Sequence, residues 1–197
     1  VGSQSFFERQ EVRDVLAYLK LIQNPGDEVS LQRIVNTPRR GIGKTSLVKL
    51  IACSRVKGVS SFQLMKKART LEGIPPGAAA SMEVFADIID NFSVRFENGN
   101  LASVMRELLD ELGYIRHLEL QKGDPPTRER RLAVVQEQLR GAERYAEDHP
   151  ERKLEDYLER ISLFSENDNE PDHSSNALTL MTLHAAKGLE FPFVFMV

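Results

Sequence analysis

The chain is predicted to be mainly α: an all-helical insertion domain flanked at both ends by short remnants of an α/β host domain. Three observations predict this. Apolar residues recur three and four apart through the middle of the chain. Clusters of Gly, Pro and Asn cut that pattern into helix-length pieces. Strand-like apolar runs occur only at the two ends.

Taken in order, residues 1–7 read as a short strand or its end. From Glu8, the apolar residues Val12, Val15, Leu16, Leu19 and Ile22 fall on one helical face, and Asn24-Pro25-Gly26-Asp27 stops the helix. Leu31, Ile34 and Val35 form a short apolar stretch, and a second helix opens at Lys44 or Thr45 with Leu47, Val48 and Ile51 inward. Further helices are expected over 61–71, over 78–96 (striped by Met82, Phe85, Ile89, Phe92 and Phe96) and over 101–112 (striped by Val104, Met105 and Leu108). After Gly123-Asp124-Pro125-Pro126, Thr127 is expected to cap a long polar helix carrying Leu132, Val135, Leu139, Ala142 and Tyr145, and another helix runs over 154–164. Residues 166–172 form an acidic, Pro-containing linker; it lacks the glycine and closing glutamate of a calcium loop, so it reads as solvated. Beyond it, residues 177–182 and 193–197 are buried-type strands on either side of a turn or short helix.

The totals bound what the chain can be. Its 197 residues, 41% hydrophobic and 28% charged, suffice for one compact domain or slightly more. No apolar run approaches the roughly 20 residues needed to cross a bilayer, so no membrane partner is expected. The single Cys53 excludes an internal disulfide and a cysteine-built zinc site, in keeping with a cytoplasmic location; no metal site is expected. At a formal net charge of −3, nucleic-acid binding has to come from a local patch. The first residue is Val1 and the last lies inside an apolar run, so the sequence is expected to be a piece of a longer protein.

Gly41-Ile42-Gly43-Lys44-Thr45-Ser46 ends like the phosphate loop of an NTPase. The position where such a loop needs its first glycine is Pro38, with fixed φ and no N–H, and the preceding Leu31 to Val35 reads as helix. No later strand ends in the Asp that would hold Mg²⁺. ATP hydrolysis at this loop is therefore not expected. The same residues suit a helix-hairpin-helix, in which glycines let main-chain N–H groups reach a phosphate and the next helix adds its positive end. Arg39, Arg40 and Lys44 surround the turn, Thr37 and Thr45 offer hydroxyls, and a β-branched residue at Gly43 is expected to block and strain it. A plain interhelical turn with solvated charges fits equally well on local chemistry alone.

The run Leu180-Met181-Thr182-Leu183-His184-Ala185-Ala186-Lys187-Gly188-Leu189-Glu190-Phe191-Pro192 closely resembles helicase motif V of the UvrD/Rep/PcrA family of superfamily 1. Phe6-Phe7-Glu8-Arg9-Gln10-Glu11-Val12-Arg13-Asp14 resembles that family's segment before its 2B insertion, and Arg33 to Gly43 resembles the helix-hairpin-helix of 2B. The matches occur in the family's order and spacing; the middle, 57–164, matches only as a helical region.

This resemblance implies a motor of RecA-like domains 1A and 2A with helical insertions 1B and 2B, which uses ATP and Mg²⁺ to move along single-stranded DNA, typically 3′ to 5′. Residues 1–23 would start domain 2A, 24–173 would be the 2B domain, and 174–197 would return into 2A. By position in motif V, Thr182 and His184 would lie along the single strand, and Gly188 and Glu190 would approach the nucleotide. The turn residues Thr37, Arg39, Arg40, Gly41, Ile42, Gly43, Lys44 and Thr45 would meet duplex backbone. The partners implied are DNA, domains 1A and 1B and the rest of 2A. Because the ATPase motifs of the family are missing, the piece alone is expected to be inactive while its parent is an ATP-dependent helicase of repair or replication. The alternative is a protein-interaction or autoinhibitory module that does not itself bind DNA.

Overall fold

The computed structural model describes residues 6–121 and 123–167. Among these residues every regular element is helical, in agreement with the mainly α expectation. The strand-like runs at 177–182 and 193–197 lie outside the described residues. At the other end, Phe6 to Glu8 form a turn of 3₁₀ helix, not the end of a strand.

Helix α1 spans Gln10–Gln23 and is the centre of the molecule. Val12, Val15, Leu16, Leu19 and Ile22 are buried as their spacing predicts, and so are Asp14, Ala17, Tyr18 and Leu21. The helix is enclosed by α2 (Glu28–Ile34), α5 (Pro76–Asn98), α8 (Pro125–Asp148) and α9 (Leu154–Asn167). The expected boundary at 23/24 thus falls in a turn between two helices that share one core. Asp27 starts α2 by accepting from the N–H groups of Val29 and Ser30 at 3.1 and 3.0 Å.

Helix α3 spans Lys44–Lys57 and packs chiefly on α4, Ser61–Met65. Its inner line is Ser46, Leu50 and Ser54; Leu47 and Ile51 are half-buried at its edge, whereas Val48 points to solvent, against the expectation that it faces inward. Two small serines let α3 sit close to its neighbours, and Ser54 Oγ lies 3.0 Å from Ser61 Oγ across that gap. The helix expected over 61–71 stops at Met65, and Ala68–Thr70 make a separate 3₁₀ turn. Ties to α5 outweigh helix continuity there: Arg69 pairs with Glu83 through both its N–H and its guanidinium, and Lys66 pairs with Asp90.

The stripes of α5 and of α6, Leu101–Glu111, are buried as expected. Gly99 between these two helices admits no side chain: a Cβ would stand 2.6 Å from Val104 Cγ2 and 2.9 Å from the Arg95 carbonyl oxygen. A seventh helix, α7 at Tyr114–Leu120, escaped the sequence reading because two turns with only Tyr114 and Leu118 buried carry too little periodicity. Helix α8 begins at Pro125 with Asp124 as its N-cap, three positions before the expected cap Thr127. The two prolines fit the first turn, where their missing N–H groups have no helical acceptor.

Candidate functional site

The turn joining α2 to α3, residues 35–43, is built by side chains that sequence reasoning placed elsewhere. Tyr18 of α1 donates its hydroxyl to the Thr37 carbonyl. Arg40 folds inward over that tyrosine. Its guanidinium donates to the carbonyls of Ile34, Val35 and Pro38 at 3.0, 3.3 and 3.2 Å and to Tyr18 Oη at 2.6 Å. It also lies over the ring of Phe85, 4.7 Å from the centroid, so the charge is held by a π face as well as by carbonyl dipoles. The Arg40 N–H donates to Asn36 Oδ1 at 2.7 Å, the Thr37 hydroxyl donates to the Arg33 carbonyl at 3.4 Å, and Ile42 is buried beneath. Thr37, Arg40 and Ile42 therefore shape the turn from inside.

The exposed rim is Arg39, Gly41, Gly43, Lys44 and Thr45. Gly41 has φ 76°, in the left-handed region where a Cβ is strained, so the turn requires glycine here. Gly43 has an ordinary φ of −72°, and a Cβ there would meet nothing within 4 Å. The strain expected of a larger residue at Gly43 therefore belongs to Gly41. What Gly43 provides is openness. It is the N-cap of α3 and offers no side-chain acceptor, so the first N–H groups of a 14-residue helix point outward beside Lys44 and Arg39.

The turn is wired to the core by a buried polar network. Tyr114 of α7 meets Tyr18 edge-on, with ring centroids 6.5 Å apart, and donates to Asp14 Oδ2 at 3.1 Å. Asp14 accepts from Arg33 of α2 at 2.7 Å. Burial raises the Asp14 pKa although Arg33 and Tyr114 pull it down. Burial pushes Tyr18 up to about 12 and, with the Asp14 charge, pushes Tyr114 higher still, so both phenols remain donors. His117, one turn after Tyr114, lies 2.8 Å from the Gln121 side-chain amide nitrogen. Its pKa is lowered, first by burial and then by the charges of Arg40 and Arg39, with Asp14 opposing.

Sequence reasoning missed Tyr18, Phe85, Tyr114 and His117. Tyr18 carried a signal, since a buried tyrosine needs a partner for its hydroxyl. A second signal lay in charge order. Between Glu28 and Glu72 the sequence has ten Lys and Arg and no Asp or Glu, in a chain of net charge −3. Several of these cations are engaged: Arg33 with Asp14, Lys49 with the Gly73 carbonyl, Lys66 with Asp90, and Arg69 with Glu83. Among the described residues, Arg39, Lys44, Arg55 and Lys57 have no carboxylate partner. This stretch is the local concentration of positive charge that nucleic-acid binding would require in a chain of this net charge.

The Gly-Ile-Gly turn lacks the build of a nucleotide cradle. The segment before the Gly-Ile-Gly turn is helix α2, whereas a phosphate loop springs from a strand, and Pro38 occupies the bend. Gly188, Glu190, Thr182 and His184 lie outside the described residues. Among the described residues there is no cluster of metal-ligating side chains and no helix long and apolar enough to cross a membrane.

The UvrD-like helicase C-terminal domain model matches residues 1–197. The chain is 34% identical over 201 residues to the ATP-dependent DNA helicase PcrA of Bacillus subtilis, covering 100% of the chain and 27% of that protein. It is 36% identical over 213 residues to the ATP-dependent DNA helicase UvrD1 of Mycobacterium tuberculosis, covering 99% of the chain and 27% of that protein. It is 33% identical over 196 residues to a probable DNA helicase II homolog of Rickettsia conorii, covering 100% of the chain and 29% of that protein. The chain thus spans between a quarter and a third of these relatives' length, and it belongs to the UvrD-like helicase C-terminal domain family.

Proposed function

We propose that the chain is the accessory 2B region, with flanking pieces of 2A, of an ATP-dependent DNA helicase, and that it grips duplex backbone through the turn between α2 and α3 working as a helix-hairpin-helix. The observation that carries this reading is the open N-terminus of α3, rimmed by Arg39 and Lys44 inside a stretch free of acids. A phosphate seated there receives main-chain N–H groups past Gly41 and Gly43 and the favourable end of the helix dipole. No group on the rim is arranged to read a base edge, so binding is independent of sequence.

Within this reading Arg40 is a positioning residue that keeps the turn open toward the phosphate, while Arg39 and Lys44 carry the charge. In the whole protein, Gly188 and Glu190 would approach the ATP, whose Mg²⁺ would be held by groups outside this chain, and Thr182 and His184 would meet the single strand. ATP hydrolysis supplies the energy for unwinding. Residues 24–173 would be the 2B domain between the two 2A segments, and the chain alone is inactive because the motor's ATPase groups come from outside it.

The test is a salt titration of the full-length protein on a hairpin duplex with a single-stranded tail. Two phosphates neutralised at the turn contribute about −2 to the log–log slope, and Arg39→Ala or Lys44→Ala each removes about one unit. Slopes unchanged in both variants would leave the turn a mere connector. Phosphate release by the isolated chain above background would refute its inactivity. A second reading, docking of a protein on this region, is favoured by the outer face of α3.

A further inference from the structure

Helix α3 is apolar on both sides. Val48, Ala52 and Val56 each stand two residues from an inner position, about 200° round the helix, and together they form a line along its outer face. Val48 is 57% exposed and Val56 88%, and Val59 beyond the helix end is 41% exposed. Lys44, Arg55 and Lys57 are exposed on the same helix, which has no acidic residue. An apolar line bordered by Lys44 and Arg55, on a helix without acids, is half of a helix–helix contact.

We propose that the outer face of α3 docks an acidic amphipathic helix of a partner protein. The apolar edge of that helix covers Val48, Ala52 and Val56, and its carboxylates meet Lys44 and Arg55. Charge selects this occupant. A second copy of α3 would set cation against cation, and a phosphate backbone gains nothing from valines in the middle of the contact. The length fits, because 14 residues of helix span about 21 Å, enough for three to four turns of a partner. Lys44 belongs both to this face and to the rim of the turn, so an occupied α3 competes with duplex at the turn. The proposal goes beyond the duplex reading and does not depend on it.

The experiment measures anisotropy of a labelled 16-residue helical peptide, with leucines three and four apart and glutamates on both flanks, titrated with the full-length protein. A peptide with lysines replacing the glutamates and a blunt hairpin duplex are the comparison probes. The expected result is binding of the acidic peptide and not of the lysine peptide, with the duplex bound as well. Val48→Ser with Val56→Ser, both neutral and solvent-exposed changes, should weaken that binding about tenfold and leave duplex binding unchanged. Excess duplex should displace the peptide. Three results would overturn the proposal: no binding of the acidic peptide, equal binding of both peptides, or wild-type affinity in the double serine variant. Loss of duplex affinity in that variant, without peptide binding, would assign the face to nucleic acid instead.

Discussion

At the scale of single residues, Arg39 and Arg40 are neighbours of the same type with opposite work. Arg40 spends its donors on three carbonyls and a phenol inside the turn, and Arg39 faces water. Arg40→Ala should therefore destabilise the fold by about 2–4 kcal/mol, because it leaves several half-buried carbonyls without a donor. Arg39→Ala should leave the melting temperature within a degree or so of the parent while weakening duplex binding. Thermal denaturation beside the salt titration separates the two, and an Arg40→Ala protein of unaltered melting temperature contradicts the role given to it. The glycines divide likewise. Gly41→Ala should cost about 1 kcal/mol for its positive φ, whereas Gly43→Ala should be neutral in stability and harm only phosphate approach. His117 adds a dependence on pH. Its pKa sits below 6.5, so the stability it contributes is complete above that value and is lost as pH falls through the lowered one. A phosphate beside Arg39 would offset the repulsion, raise that pKa and draw in a proton. Duplex affinity should therefore climb as the medium is acidified below 6.5, and His117→Gln should flatten the climb.

At the scale of elements, legibility followed the length of the repeat. The stripes of α5, α6 and α1 were visible because about three to six turns repeat one rule, and the buried residues match it. Helix α7 was invisible because it has two turns, and the break at Met65 because ion pairs with Glu83 and Asp90, distant in sequence, decide it. On α3 the apolar residues occupy both faces, so periodicity could not choose the inner one; Ser46 and Ser54, small enough for close packing, did. The turn's rim could be read from Arg39, Gly41 and Lys44, but its support could not, since Tyr18 and Phe85 are ordinary core residues until a guanidinium is found between them. The junction of α5 and α6 gives the prediction proper to this scale. Gly99→Ala forces Val104 and the Arg95 carbonyl aside, and it should lower stability by about 1–3 kcal/mol in a denaturant titration without altering the salt slope of duplex binding.

At the scale of the molecule, nearly all helices share one core, with α1 enclosed by α2, α5, α8 and α9. That arrangement decides what happens when a force is applied at the rim. Tyr18 and Asp14 of α1 hold the turn and α2 through Arg40, Thr37 and Arg33, and Tyr114 braces both from α7. A duplex held at Arg39 or Lys44, as proposed above, would therefore not peel a loose loop. It would load several hydrogen bonds in parallel and deliver the strain to the axis of α1, whose first residues lead directly to Phe6 and Phe7. The turn behaves as a handle welded to a shaft: what it feels, the shaft must follow.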